Sequence, residues 1–247
     1  MAKSNFDAQK ELAKAVKHFW ATRGKQADSQ GSKTGLKDAG ARSAVTGGKH
    51  ADGFVELIAA IVRNAGLKEF DIRHAEKKPR TLPGYFRPSK EWDLVVVQGT
   101  SLVAAVEVKS QVGSFGNNFN NRAEEAIGTA HDFWTANREG AFGQESRPFV
   151  GWLMLVEDAA ASRAVVKEKS PHFPVFKEFQ GVSYLKRYDL LCQRLMKEQL
   201  YTTAALIASP RVSDQAGAHA PMSDMTSFKT FVASLAGHIA GEAARLA

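Results

Sequence analysis

The chain has 247 residues, with 33 Lys and Arg against 26 Asp and Glu for a formal charge of +7. Apolar residues at 44% and charged residues at 24% exclude a disordered or collagen-like chain and suffice for one large core, so a single domain over 1–247 is expected. A lone cysteine, Cys192, excludes an internal disulfide framework and suits a reducing compartment.

No apolar run approaches the roughly 18 residues of a membrane span, and the N-terminus lacks a secretory stretch. The expectation is a cytoplasmic protein with no membrane partner. A pI near 9.5 is compatible with nucleic acid but leaves the question to where the charge sits. Phe6, Leu12, Val16, Phe19 and Trp20 recur at helical spacing and predict a first helix. From Arg23 to Gly53, seven glycines and six Lys or Arg replace large apolar residues. That predicts a basic loop, either an inert surface segment or an arm that orders on DNA.

A helix is expected from Gly53 to about Ala65, carried by Phe54, Leu57, Ile58, Ile61 and Val62. Arg73 to Lys90 forms a second basic stretch in which Pro79, Pro83 and Pro88 forbid a regular helix. Two apolar runs, Trp92–Gln98 and Leu102–Lys109, flank Gly99-Thr100-Ser101 and read as a central β-hairpin covered on both faces. A polar loop over Ser110–Asn121 leads to a helix from about Arg122 to Ala136, and Phe149–Val156 reads as a buried strand. The C-terminal part reads as helical, near Ser183–Ala208 and again near Asp224–Arg245, where Phe228, Phe231, Val232, Leu235 and Ile239 make one stripe. The fold class expected is α/β, a central mixed sheet with helices on both faces and a helical C-terminal part.

Asp93, Glu107 and Lys109 carry the chemistry. With a three-residue loop, paired positions of the hairpin place Asp93 directly opposite Glu107, about 5 Å apart at Cβ. Strand alternation adds Lys109 to that face, with Val95, Val97, Val103 and Ala105 behind it. A slip of one residue would separate the two acids. Paired carboxylates among apolar neighbours call for a cation, and Mg²⁺ takes one or two carboxylates while keeping positions for water and phosphate. A neighbouring lysine then orients or helps deprotonate a metal-bound water and steadies charge on a phosphate. The plainer alternative is a strand start at Asp93 with an ion pair between Glu107 and Lys109.

Trp92-Asp93 followed by Glu107-Val108-Lys109 resembles the PD-(D/E)xK nuclease core, with Trp where that signature often has Pro. The wider text is similar to the XhoI-type restriction endonucleases. It runs Arg87-Pro88-Ser89-Lys90-Glu91-Trp92-Asp93, then Val106-Glu107-Val108-Lys109-Ser110-Gln111, then Asn117-Asn118-Phe119-Asn120-Asn121-Arg122. The resemblance implies a homodimeric type II enzyme of the bacterial cytoplasm that cuts double-stranded DNA within CTCGAG, uses Mg²⁺ and leaves 5′-phosphates. A matching DNA methyltransferase is then expected in the same cell. It also implies that Asp93 and Glu107 hold metal and Lys109 assists the attacking water.

Glu56 interrupts the apolar run Phe54–Val62 and is either a further metal ligand or a solvated helix position. Gln111, Asn117, Asn118, Asn120, Asn121 and Arg122 follow the catalytic strand and suit base edges, or are ordinary turn residues. Lys77, Lys78, Arg80, Arg87 and Lys90 are either a phosphate-contacting edge or solvated charge. His131-Asp132 reads as surface, and Cys192 as a small core residue. Two other functions remain open from the residues alone: a structure-specific repair or junction nuclease, and a nuclease-fold module that binds DNA without cutting it.

Overall fold

The computed structural model describes residues 6–34, 49–67, 72–74, 79–143, 146–211 and 217–245. Its first helix, α1 (Ala8–Thr34), buries Leu12, Ala15, Val16 and Phe19 along one side. It continues to Thr34, so the loop expected from Arg23 is helical in its first part; between Gly24 and Gly31 the chain reads Lys-Gln-Ala-Asp-Ser-Gln, which tolerates a helix. Residues 35–48 of that expected loop lie outside the described residues. A 3₁₀ turn (Lys49–Ala51) leads into α2 (Asp52–Asn64), whose Phe54, Leu57, Ile58, Ile61 and Val62 are buried at helical spacing.

Six strands form one mixed sheet in the order β1-β4-β5-β6-β7-β8. They are β1 (Ile72–Arg73), β4 (Leu94–Gln98), β5 (Ser101–Gln111), β6 (Phe149–Glu157), β7 (Thr203–Ser209) and β8 (Ala220–Pro221). β4 and β5 are antiparallel, whereas β5, β6 and β7 run parallel. Parallel neighbours need crossovers: α3 (Phe115–Arg138) links β5 to β6, and the short α4 (Ala160–Arg163) with α5 (Tyr184–Lys197) links β6 to β7. The last helix is α6 (Phe228–Arg245). Outside this sheet, β2 (Thr81–Pro83) and β3 (Ser89–Glu91) pair only with each other. Among the described residues no helix is long and apolar enough to cross a membrane.

Each sheet face has its own core. Leu94, Val96, Val106, Phe149 and Ile207 pack with α1, α2 and α6 on one face. Val95, Ala105, Val150, Trp152, Met154 and Leu206 pack with α3 and α5 on the other. Buried on this second side, Asp189 of α5 accepts hydrogen bonds from the Ser223 and Thr226 hydroxyls at 2.7 Å and from Gln193 Nε2 at 3.0 Å, and pairs with Lys186 at 2.7 Å. Cys192 is buried in the same core, as expected.

Three expectations need correction. Thr203–Ser209 is a fully buried strand and not the end of a helix, because an unbroken apolar run looks alike in either form. The helix expected from Arg122 begins at Phe115, since Phe115, Phe119, Ala123, Ala126 and Ala130 already make a stripe that packs on the second core. The Asn-rich segment is therefore the first turns of α3 and not a loop. Finally Asp132 is buried, not surface: it accepts the backbone N–H groups of Tyr85 and Phe86, both at 2.8 Å, and Arg87 Nε at 2.7 Å.

Candidate active site

The site begins with the hairpin register. The turn has two residues, Gly99-Thr100, with Gln98 opposite Ser101 and Val97 opposite Leu102. Gly99 supplies the positive φ of 60° that such short turns need. That is one residue tighter than expected and would by itself have shifted every later pair. A bulge between Val96 and Val97 absorbs the difference, and the ladder resumes as Val96 with Ala104, Val95 with Ala105 and Leu94 with Val106. The ladder ends at Leu94, and Asp93 follows as a bend that sets its carboxyl near Glu107. Val103, the residue taken up by the bulge, sits with Ala104 on the first core and not behind the acids.

Glu107 is 2% exposed on the α3 side of the sheet. Asp93 stands beside it and accepts the Val108 N–H at 2.7 Å. Burial, and then the Glu107 charge, push the Asp93 carboxyl above its ordinary range, with the Val108 N–H, Lys109 and Lys90 opposing. Lys109 Nζ lies 2.7 Å from Glu107 Oε2 and 3.2 Å from Glu125 Oε1 on α3. Burial disfavours the Lys109 ammonium, but Glu107, Glu125 and Asp93 outweigh it and hold its pKa above that of a free lysine. Glu125 is held below the usual carboxylate range: Lys109 and Arg122 overcome its burial, Arg122 Nη1 lying 2.6 Å away.

A second lysine completes the group. Lys90 of β3 pairs with Glu107 Oε1, donates to the Glu91 carbonyl at 3.1 Å and stands 5.1 Å from the Trp92 ring centroid. Sequence reasoning placed Lys90 on a phosphate-contacting edge and missed its tie to the acids; Glu125 it missed altogether. The spacing of Lys109 and Glu125 gives no hint of their contact without the reversal at Gly113 and Ser114, whose φ values are 62° and 44°. That reversal folds α3 back beside the strand that precedes it.

The remaining candidates divide. Glu56, on α2, pairs with His74 Nδ1 at 3.1 Å and Arg63 at 3.9 Å, a different set of partners from Glu107's. Gln111 is buried and donates to the Gly113 carbonyl at 2.6 Å, bracing the reversal. Asn117, Asn120 and Asn121 are exposed on the first turns of α3, while Asn118 donates to the Ser114 carbonyl at 3.1 Å. Arg80 pairs with Glu91, and Arg87 with Asp132. Lys77 and Lys78 lie outside the described residues.

Two adjacent carboxylates in a nearly dry setting fit a hard divalent cation. No group of three or more His, Cys, Asp or Glu that could hold a metal occurs among the described residues. Mg²⁺ is such a cation, bound through one or two carboxylates while it keeps several waters.

The chain matches the family described as restriction endonuclease XhoI over residues 30–221. It is 52% identical over 182 residues to the type II restriction enzyme XhoI of Xanthomonas vasicola, covering 73% of this chain and 72% of that one. It is 44% identical over 214 residues to the type II restriction enzyme BstVI of Geobacillus stearothermophilus, covering 84% and 95%. It is 54% identical over 174 residues to the type II restriction enzyme AbrI of Azospirillum brasilense, covering 70% and 77%. No solved structure matches it.

Proposed function

Because the chain belongs to the restriction endonuclease XhoI family, we propose that it is a type II restriction endonuclease. It uses Mg²⁺ to hydrolyse double-stranded DNA within a palindrome, CTCGAG by its resemblance, and leaves 5′-phosphates. The observation that supports the chemistry is the Asp93 carboxyl on the Val108 N–H beside Glu107, with Lys109 Nζ 2.7 Å from Glu107 Oε2. Asp93 and Glu107 would hold the Mg²⁺, which would supply a more acidic water and neutralise charge on the phosphate.

Lys109 works as a protonated amine, since the surrounding acids favour its charged form. It donates to the attacking water or to a phosphate oxygen. Glu125, itself clamped by Arg122, keeps that ammonium aimed at the reacting centre. A palindromic target implies a twofold dimer in which each protomer addresses one strand. A matching methyltransferase protects the host's own sites.

The test is digestion of a plasmid carrying one CTCGAG site, with Mg²⁺ and with EDTA. One Mg²⁺-dependent cut at that site, 5′-phosphorylated and absent for Glu107→Gln, is the expected outcome. Cuts at another discrete sequence would discard the inherited target and keep the acids. Cleavage only at branches or ends would replace the reading with a structure-specific nuclease.

A further inference from the structure

Glu107 is buried between two ammonium groups of different origin. Lys109 shares its own strand and has Glu125 as a second carboxylate partner. Lys90 comes from the β2–β3 hairpin, which pairs with no strand of the main sheet. If Lys109 shifts off Glu107 it keeps Glu125, whereas among the described residues Lys90 has only the Glu91 carbonyl and the Trp92 ring to fall back on. The tip of the same hairpin is fastened to α3 by Asp132, and Gly84 permits that closeness, since a Cβ there would stand 2.6 Å from Asp132 Oδ2. The hairpin tip is thus anchored independently of the Lys90 contact with Glu107.

We propose that Lys90 is a resident stand-in cation at Glu107, which a DNA phosphate draws away, so that the acidic pair opens to metal only on the substrate. The inference rests on Asp93 and Glu107 being the metal ligands. An ammonium and a divalent ion compete for one carboxylate oxygen, and a phosphate is the stronger attraction for a lysine that has lost that oxygen. Free protein thus keeps its acids neutralised without metal, and the hairpin couples DNA contact to metal loading.

Calcium binding, measured by isothermal titration calorimetry on the full chain, tests this without cleavage. Lys90→Met should bind Ca²⁺ about tenfold or more tightly than wild type in the absence of DNA, because its competitor is gone. Lys90→Gln should do the same, and Lys90→Arg should stay near wild type. A CTCGAG duplex should tighten Ca²⁺ binding to wild type and add much less for Lys90→Met. Equal or weaker binding by folded Lys90→Met and Lys90→Gln overturns the proposal. Glu107→Gln separates the two readings: if it leaves Ca²⁺ binding intact, the acids are not the metal site, and if it removes binding while the Lys90 variants match wild type, only the stand-in role fails.

Discussion

Asp189 and Glu107 are both buried carboxylates on the same side of the sheet, and they are satisfied in opposite ways. Asp189 is met by two hydroxyls, an amide and one lysine, all within α5 or the segment just before α6. Those donors hold its carboxyl below the ordinary range against the cost of burial. Glu107 has only ammonium partners, drawn from a separate hairpin and from its own strand, and a second acid beside it. Neutral donors beside its one lysine tie Asp189 into the scaffold, whereas among the described residues Glu107 is held by ammonium groups, which another cation can replace. A buried acid is therefore read as structural or chemical from the kind of partner it has.

The sharpest way to break this contrast is substitution of each acid. Glu107→Gln should lower cleavage at least about 10³-fold, as expected for loss of a charge aimed at the reacting centre, while thermal unfolding stays close to wild type. Asp189→Ala should do the reverse. It removes the buried acceptor shared by Ser223, Thr226, Gln193 and Lys186 and should cost about 3 kcal/mol in chemical denaturation, with the folded fraction still cutting DNA. If Asp189→Ala kills cleavage in folded protein, or Glu107→Gln unfolds the chain, the division fails.

Glu125→Gln sharpens the picture at the edge of the site. It should reduce the maximal cleavage rate by about 10- to 100-fold, in the range of lost supporting contacts, with DNA affinity little changed in a gel-shift titration. A smaller effect concerns pH. The folded-state pKa of Asp189 is depressed, so its stabilisation is complete above the unfolded carboxylate value of about 3.9 and fades as pH falls through the lower folded value. Wild type and Asp189→Asn should differ in unfolding midpoint at neutral pH and converge below about pH 4.

The elements that could be read from the sequence are those with one clear period or one clear break. The α2 stripe, the strand at Phe149 and the hairpin around Gly99 belong here. Thr203–Ser209 could not be told from helix because every residue of it is buried, which removes alternation. The pairing of β4 with β5 regains the expected register from Val96 to Leu94 because the turn is one residue shorter than expected and the strand bulges at Val103. The contact of Lys90 with Glu107 and that of Glu125 with Lys109 could not be read, because they depend on a separate hairpin and a reversed helix, and neither leaves a spacing signature.

The bulge has a practical corollary for anyone altering the chain. Beyond Val96 the pairing of the acids is insulated from the tip, because surplus length can be taken up at Val103 or in the turn. Gly99 and Thr100 are exposed and lie at the far end of the hairpin from the acids. A short tag or fluorophore grafted there would report on the molecule without disturbing its chemistry.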